Sequence, residues 1–368
     1  MKGKASGIVL DGPVGPEVSI DGRRMLYFGG TDYLSMAGRE ELRQGAIRAL
    51  ERFGVSSSAA RSSSGTLSIH LELENKVASF AGTGSAVNYS SGYLGMAVLL
   101  SALLESGDLV AVHRDAHASV RDAVRAWAPG YVEFELDDLE SLARELEKAG
   151  GDGRVVVACE GVSPLFGRVF PLPELLAVLE GRDYLVLIDD AHGFGVLGDR
   201  GQGTTSHFAV ESESVISCAT LSKAFGSFSG VVPVADSLAD RIRGKSVVYQ
   251  CSSPPPAPVC GAAIAAFSYL GAHPELFETL RTNNRLLRST LSSLGLDVPE
   301  LPTPIVPLTD CGELELSELS RRLFDKGILA PFIRYPGSPR GGMVRLAVTA
   351  GHTAGQIERL GEEIGKLL

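Results

Sequence analysis

The chain has 368 residues, and its 34 Lys and Arg against 44 Asp and Glu leave a formal net charge of −10. This length can bury a large core, divided between one large and one small domain. The acidic balance and the lack of a basic tract argue against nucleic-acid binding. The five scattered cysteines form no C-x-x-C pair and no cluster with histidine, so we expect no metal site. Without a signal-peptide pattern or an apolar run of membrane-spanning length, the expected location is the cytoplasm.

The first predicted elements are short strands followed by two helices. We expect strands at 18–20 and 25–28 and, from the apolar spacing, helices at 39–52 and 67–80. The Gly/Ser-rich stretch between these helices, 54–66, has the composition of a linker. Arg61 within it and the amphipathic helix after it favour an ordered loop instead.

Strands and helices then alternate along the chain. Strands are predicted at 87–89, 109–112, 155–159, 184–188 and 215–220. Most of these strands are followed by a turn and a helix, so the fold class is α/β with a mostly parallel, doubly wound sheet. A proline cluster at 254–258 precedes a predicted bridging helix over 262–294 and a smaller α+β domain with strands at 305–308 and 343–348. The expected divisions are an N-terminal segment 1–35, a large domain 36–250 and a C-terminal domain 251–368.

Asp189 and Lys223 carry the strongest chemical signal. Asp189 ends the apolar run Tyr184-Leu185-Val186-Leu187-Ile188, and Lys223 follows the run 215–220 within Thr220-Leu221-Ser222-Lys223. Ligands of open α/β sheets bind at the carboxyl ends of the strands, so both side chains are expected in one crevice. A lysine that can form a Schiff base and a carboxylate that keeps a pyridine nitrogen protonated are what pyridoxal 5′-phosphate (PLP) requires. Taken singly, Lys223 could be a surface charge and Asp189 a turn residue.

Other turns after strands offer groups for the same cofactor. The sequence Ser91-Gly92-Tyr93 lies between a strand and a helix, where backbone N–H groups favour a phosphate. Thr220 and Ser222 flank Lys223 closely enough to bind the same phosphate. His117 suits an imidazole that stacks on a pyridine ring or donates to a carbonyl oxygen, and His192 suits a contact with the phenolic oxygen. A hydrogen-bonded structural histidine is the alternative in both cases.

Two arginines late in the chain could bind a substrate carboxylate. Arg345 lies on a predicted strand, and a guanidinium pairs with a carboxylate through two hydrogen bonds. Arg334 precedes Tyr335-Pro336-Gly337 and is a weaker candidate, for which a salt bridge within the loop is the alternative.

Together these motifs resemble the α-oxoamine synthases, a group within the fold type I, aspartate aminotransferase-like PLP enzymes. The resemblance extends over nearly the whole chain. Its most specific parts are Asp189-Asp190-Ala191-His192-Gly193-Phe194-Gly195 and Thr220-Leu221-Ser222-Lys223-Ala224-Phe225-Gly226. The resemblance implies a large PLP-binding domain with a smaller α+β domain. It also implies an acyltransferase that condenses an amino acid with an acyl thioester, on CoA or on an acyl carrier protein, and releases CO2 and an α-amino ketone.

The resemblance also assigns roles to individual residues. Lys223 becomes the Schiff-base lysine and the base for the α-proton, Asp189 the partner of the pyridine nitrogen, and His192 the contact to the phenolic oxygen. His117 stacks on the ring and helps to position the thioester. Gly92, Tyr93 and Thr220 serve the phosphate, and Arg345 holds the amino-acid carboxylate. The family works as a homodimer with its site at the subunit interface.

Several positions depart from the family pattern. The family asparagine before Asp32-Tyr33-Leu34 is Thr31 here. In the loop after Glu160-Gly161, the family serine is Pro164, with Ser163 beside it as a possible substitute, and the family acidic residue is Phe166. The threonine that the partner subunit contributes to the phosphate site is Cys251, followed by Ser252. These differences suggest the hypothesis of an unusual amino acid or acyl donor.

Two other functions remain open on the sequence alone. One is an aminotransferase or another PLP reaction on the same fold, since Asp189 and Lys223 serve both. The other is a PLP-binding protein without activity, which the altered loop after Glu160 would allow. The presence of Lys223, Asp189, His117 and His192 together argues against the second alternative.

Overall fold

The computed structural model describes residues 7–136, 138–150, 153–335 and 337–368. These residues form two compact units. The sheet unit comprises Glu40–Ser163 and Arg168–His273, and the terminal unit comprises the described residues up to Arg39 together with Pro164–Gly167 and Pro274–Leu368. The first residues of the expected N-terminal segment, 1–6, lie outside the described residues. The chain therefore divides at Arg39 and His273, where the sequence suggested boundaries at 35 and 250.

The sheet unit is an α/β structure. Its strands are β3 (Ser85–Tyr89), β4 (Leu109–His113), β5 (Tyr131–Phe134), β6 (Val155–Glu160), β7 (Tyr184–Asp189), β8 (Val215–Thr220) and β9 (Gly230–Val234). Its helices are α1 (Glu40–Phe53), α2 (Ser68–Ala81), α3 (Gly95–Leu103), α4 (Ala118–Trp127), α5 (Leu139–Ala149), α6 (Leu172–Val178), α7 (Thr204–His207), α8 (Asp236–Lys245), α9 (Val247–Cys251) and α10 (Ala257–Ala272). The short 3₁₀ turn Gly92–Leu94 leads directly into α3.

One seven-stranded sheet, in the order β3-β9-β8-β7-β6-β4-β5, forms the centre of the sheet unit. All neighbouring strands from β8 to β5 run parallel, whereas β9 is antiparallel to both β3 and β8. The predicted mostly parallel, doubly wound sheet is thus confirmed. Strands β6 and β7 are buried along almost their whole length because helices cover both faces of a parallel sheet.

The register of β6, β7 and β8 sets the position of the candidate site. Glu160 at the end of β6 pairs in register with Asp189 at the end of β7, and β8 runs parallel to β7 up to Thr220. The predicted adjacency of the strand ends before Asp189 and Lys223 is confirmed. The acidic side chains and the lysine loop consequently meet at one edge of the sheet.

The Ser/Gly-rich loop 54–66 is held by a buried ion pair. Arg61 donates to Glu74 at 3.0 Å and to Asn88 at 2.6 Å, and the Arg61 and Glu74 side chains are only 3% and 4% exposed. Removing Glu74 leaves the buried Arg61 charge without its carboxylate, at a cost of about 3–5 kcal/mol. Removing Arg61 costs less, because Glu74 also pairs with Arg243 at 3.3 Å. The expectation of an ordered loop is therefore confirmed.

The terminal unit is an α+β structure. Its elements are β1 (Glu17–Ile20), β2 (Arg23–Tyr27), α11 (Glu275–Ser293), β10 (Ile305–Leu308), α12 (Leu316–Asp325), β11 (Ile328–Leu329), β12 (Phe332–Ile333), β13 (Met343–Ala347) and α13 (Ala354–Gly365). Its strands form two small sheets, β1-β2-β11 and β10-β13-β12. In the first sheet the N-terminal strand β2 pairs with β11 from near the other end of the chain, with Leu26 opposite Ile328.

The single bridging helix predicted over 262–294 is wrong, because the structure contains α10 and α11 instead. The break falls at His273 and Pro274, where His273 has φ −128° and ψ 59°. Proline has no N–H to donate and disfavours the helical conformation of the residue before it, which ends α10 at Ala272. This break coincides with the boundary between the two units.

Among the described residues, no helix is both long and apolar enough to cross a bilayer. The same residues contain no cluster of histidine, cysteine and carboxylate side chains that could hold a metal ion.

Candidate active site

A pocket of about 210 Å³ opens at the carboxyl ends of the parallel strands in the sheet unit. Nine residues expected at a cofactor site line it, namely Ser91, Gly92, Tyr93, His117, Asp189, His192, Thr220, Ser222 and Lys223. Ser119, Glu160 and Ala191 complete the lining. The structure therefore brings together groups that lie more than 100 positions apart in the sequence.

Lys223 lies in a short loop that follows β8 and is fixed by hydroxyl groups. Thr220 Oγ1 donates to the backbone oxygen of Ser229 at 3.1 Å and lies 2.8 Å from Ser222 Oγ. It also accepts the backbone N–H of Ser222 at 3.2 Å. Because Thr220 is buried and Lys223 is half-buried, the loop presents the lysine from a rigid strand end.

Gly92 packs against Thr220 so closely that only glycine fits. A Cβ at position 92 would lie 2.4 Å from Thr220 Cβ and 2.6 Å from Thr220 Oγ1. Ser91 caps the turn by accepting the backbone N–H of Tyr93 at 3.4 Å. Backbone N–H groups at the start of this turn and two hydroxyls thus surround one end of the pocket, which is the donor set that an anion prefers.

Asp189 and His117 are linked on the other side of the pocket. Asp189 is buried, and its Oδ1 accepts the backbone N–H of Ala191 at 3.1 Å. His117 caps the N-terminus of α4, with its Nδ1 accepting the backbone N–H of Ser119 at 3.2 Å. Ser119 Oγ lies 2.8 Å from His117 Nδ1 and 3.4 Å from Asp189 Oδ2. The carboxylate and the imidazole are therefore held by one serine.

Tyr93 and His192 complete the walls. Tyr93 donates its phenolic O–H to Asp122 at 2.6 Å, and its ring meets that of His117 edge-on with centroids 6.2 Å apart. This hydrogen bond raises the pKa of Tyr93, which keeps the phenol protonated. His192 is buried at 8% exposure, three residues after Asp189.

Glu160 is a pocket residue that the sequence analysis did not select. It is 7% exposed and pairs in register with Asp189. Burial raises the pKa of Glu160 well above its usual range, and the charge of Asp189 raises it further. A hydrogen bond from the His117 backbone and the charge of Lys223 partly lower the pKa again. Its signal in the sequence was a charged residue at the end of a fully apolar strand.

Asp190, the second acid of the motif, does not line the pocket. Its carboxylate accepts the backbone N–H of Thr204 at 2.8 Å and the Thr204 hydroxyl at 2.6 Å. Burial raises the pKa of Asp190 to about 7. Three glycines leave room for this carboxylate, because a Cβ would lie 2.4, 2.0 and 2.0 Å from its oxygens at Gly161, Gly193 and Gly203. Asp190 therefore ties the end of β7 to the start of α7.

Three expected residues of the sheet unit do not line this pocket. Ser163 lies in a hairpin after β6, where its backbone N–H donates to Arg168 at 2.9 Å. Cys251 is exposed at the end of α9, and Ser252 follows it.

Arg345 lies in the terminal unit on β13, with three of its five N–H donors engaged. Its Nε donates to the backbone oxygen of Pro164 at 2.7 Å, Nη1 to Gly30 at 3.3 Å and Nη2 to the hydroxyl of Tyr33 at 3.4 Å. Each terminal nitrogen keeps one N–H that these bonds do not use. Two such N–H groups match the two oxygens of a carboxylate.

Arg334 and Thr31 also belong to the terminal unit. Arg334 is exposed, stacks over the Phe332 ring at 5.3 Å and donates to the backbone oxygen of Gly341 at 3.5 Å. Thr31 is half-buried, and its backbone oxygen accepts from Tyr33 at 2.9 Å.

The protein resembles known proteins over nearly its whole length. The family model for aminotransferase class I and II matches residues 23–364. An 8-amino-7-oxononanoate synthase from Treponema denticola is 33% identical over 366 residues, covering 98% of this chain and 92% of that protein. Another from Geotalea daltonii is 34% identical over 357 residues, covering 95% and 90% of the two chains.

Solved structures show the same relationship. A serine palmitoyltransferase from S. paucimobilis, with bound PLP and myriocin, has a TM-score of 0.91 at 26% identity and covers 98% of this chain and 92% of that one. An 8-amino-7-oxononanoate synthase from Francisella tularensis shares the fold, with a TM-score of 0.77 at 21% identity over 93% and 97% of the two chains.

Proposed function

The chain belongs to the α-oxoamine synthases within the aminotransferase class I and II family, and we propose that the pocket around Lys223 is its catalytic centre. The protein is a PLP-dependent C-acyltransferase. It joins the α-carbon of an amino acid to the carbonyl carbon of an acyl thioester, with loss of the thiol and of the amino-acid carboxylate as CO2. The product is an α-amino ketone.

The observation that supports the location is the presence of Lys223, Asp189 and the anion-binding turn in one pocket. The pocket fits PLP by its donor set: hydroxyls and backbone N–H groups at one end, a buried carboxylate, and a lysine between them. When bound, PLP withdraws electrons from the substrate α-carbon. Gly92, Tyr93, Thr220 and Ser222 would hold the phosphate, and the Asp189 carboxylate would hold the proton of the pyridine nitrogen.

Lys223 would bind the cofactor covalently through Nζ and, once displaced by the amino acid, take the proton from the α-carbon. Lys223 lines the same pocket as the Asp189 carboxylate and the turn at 91–93. His117 would cover the ring face, and His192 would donate to the phenolic oxygen. Asp189 and His192 are buried, which strengthens their electrostatic contacts relative to those of groups in water.

We propose that Arg345 of the terminal unit binds the amino-acid carboxylate through its two remaining N–H groups. Support comes from the orientation of the guanidinium, which Pro164, Gly30 and Tyr33 hold from three sides. The family serine at position 164 is replaced here, but the hydrogen bond from Arg345 uses the backbone oxygen, which proline retains. Arg334 and Thr31 are secondary candidates for substrate contacts, as is Ser163 in the sheet unit.

We further propose a cytoplasmic homodimer in which Cys251 and Ser252 of one subunit serve the phosphate of the other. The exposed position of Cys251 at the end of α9 makes it accessible to a second chain. Sedimentation of the purified protein tests the dimer, and Ser252→Ala should weaken PLP binding in it.

The substrate is an α-amino acid together with an acyl thioester. The name of the relatives' product, 8-amino-7-oxononanoate, describes an amino ketone with a terminal methyl beside the amine and a seven-carbon acid chain. L-Alanine and a seven-carbon dicarboxylic thioester are therefore the first pair to test. Efficient turnover of this pair would contradict the hypothesis of an unusual substrate that the Thr31, Pro164, Phe166 and Cys251 positions suggest.

The decisive experiment measures CO2 and thiol release from a panel of amino acids and thioesters on CoA and on a carrier protein. We expect both products in equal amounts, only when both substrates are present, and no product with Lys223→Ala. Conversion of the amino acid to a keto acid without thioester would instead identify an aminotransferase. The absence of PLP absorbance in the purified and reconstituted protein would contradict the proposed site.

A further inference from the structure

Ser119 contacts two groups of the proposed catalytic centre, although the mechanism above gives it no role. Its hydroxyl lies 2.8 Å from His117 Nδ1 and 3.4 Å from Asp189 Oδ2. The side chain lines the pocket, and the residue is only 4% exposed. A buried hydroxyl between an imidazole and a carboxylate constrains the orientation of both.

The backbone of Ser119 identifies the tautomer of His117. The Ser119 N–H donates to His117 Nδ1 at 3.2 Å, so Nδ1 presents a lone pair and carries no proton. In the shorter, 2.8 Å contact the Ser119 hydroxyl is then the donor to the same nitrogen, so its single proton is not donated to Asp189 Oδ2, which lies 3.4 Å away. A neutral imidazole in this position has its proton on Nε2.

The surroundings of His117 favour this neutral state. Burial lowers the pKa of His117 and the charge of Lys223 acts in the same sense, against the opposing effects of Asp189 and Asp122. A second proton on Nδ1 would also face the N–H of Ser119. Nε2 makes no hydrogen bond to the residues that the structure describes, so it is the nitrogen available to a bound molecule.

We propose that Ser119 is a positioning residue that holds neutral His117 with its proton on Nε2, so that the ring donates a hydrogen bond to the thioester carbonyl oxygen without transferring a proton. This inference rests on the proposed function. A fixed N–H donor stabilises the negative charge that develops on that oxygen when the new carbon–carbon bond forms.

The tautomer can be measured without the cofactor. The protein has seven histidines, so ¹⁵N-histidine labelling and long-range ¹H–¹⁵N spectra of the apo-protein, with His117→Gln for assignment, resolve the two ring nitrogens of His117. We expect an unprotonated Nδ1 and a protonated Nε2 at neutral pH. In Ser119→Ala the backbone N–H remains and only the hydroxyl is lost, so we expect the same tautomer with a shifted Nδ1 resonance. A charged ring, a proton on Nδ1, or an unchanged Nδ1 resonance in Ser119→Ala would overturn the proposal.

Substitutions of His117 itself test the donor. Glutamine places an N–H near the position of Nε2, whereas asparagine reaches only the position of Nδ1. We expect His117→Gln to keep more kcat than His117→Asn, although asparagine is the better helix cap. Equal or higher activity of the asparagine variant would contradict a role for Nε2.

Ser119 variants complete the test. Ser119→Ala should lower kcat roughly three- to ten-fold, the usual effect of one hydrogen bond, with KM and PLP affinity little changed. Ser119→Thr should restore part of the loss. Ser101 is a matched control, because its hydroxyl bonds Ser246 at 2.8 Å away from the pocket, and Ser101→Ala should retain full kcat. A wild-type kcat in Ser119→Ala would overturn the proposal, whereas failure of the proposed function would appear as lost condensation in the unsubstituted protein.

Discussion

Replacing Gly92 with alanine tests the close packing of Gly92 against Thr220 at the end of the pocket where the phosphate is expected. The added Cβ would lie 2.4 Å from Thr220 Cβ, whereas carbon atoms in contact prefer about 3.5–4.0 Å. The distance between the two Cβ atoms is therefore too short by more than about 1 Å. Rotation of the Thr220 side chain cannot relieve the overlap, because the backbone of β8 fixes the position of Thr220 Cβ. Either the turn or the strand end must move.

Such a movement disrupts the hydrogen bonds of Thr220. A shift of about 1 Å takes its 2.8 Å contact with Ser222 and its 3.1 Å bond to Ser229 beyond hydrogen-bond distance. We expect the Kd for PLP to rise about 10- to 100-fold, equivalent to about 1.4–2.8 kcal/mol. The free energy of unfolding should fall by about 1–3 kcal/mol, as in other overpacked sites.

The assay is an absorbance titration of the apo-protein with PLP, together with urea denaturation. Gly130→Ala is the control, because nothing lies within 4 Å of a Cβ at that exposed position. Adding Thr220→Ser to Gly92→Ala should not restore binding, since serine keeps the clashing Cβ. A Kd for Gly92→Ala within about two-fold of wild type would refute the reasoning.

Three further predictions concern Asp190, His352 and Arg345. Asp190→Asn should lower the free energy of unfolding by about 1–3 kcal/mol, because the amide cannot accept both hydrogen bonds from Thr204. An unchanged urea midpoint would contradict this. Burial lowers the pKa of His352 to about 4, so the imidazole is neutral in the folded protein at neutral pH. Relative to His352→Gln, the unfolding free energy of the unsubstituted protein should therefore fall by about 2 kcal/mol between pH 8 and pH 5, as the unfolded histidine gains its proton. Arg345→Lys should raise KM for the amino acid at least about ten-fold and leave KM for the thioester unchanged, because lysine lacks two parallel N–H donors. Equal effects on both KM values would argue against carboxylate binding by Arg345.

The parallel strands β4, β6, β7 and β8 could be predicted from the sequence because each is a short apolar run. The parallel edge strand β5 was not predicted, because Glu133 interrupts its apolar residues. Strand β9 was missed, since its sequence Gly230-Val231-Val232-Pro233-Val234 contains a proline. In the structure only the first two residues of β9 pair with β8, so Pro233 has a neighbouring strand only on the β3 side.

The pocket residues likewise divide into those that a local sequence motif identifies and those that it does not. Nine lining residues belong to local motifs that identify them from sequence. Glu160 was not selected, because it enters the pocket only through the register of β6 with β7, which places it beside Asp189. Ser119 was not selected either, although it lies two residues after His117 and belongs to the same local cap on α4. Only the Glu160 pairing depends on contacts that the spacing along the chain does not give.

The pairing of β2 with β11 has a consequence for biosynthesis. Leu26 leaves the ribosome about 300 residues before its partner Ile328. At translation rates of about 5–20 residues per second, the N-terminal hairpin therefore waits roughly 15 to 60 s with one edge unpaired. During this interval the edge is open to other nascent chains. We therefore expect the yield of native protein to depend on chaperones that bind the first forty residues, and to fall when translation is slowed within the last third of the message.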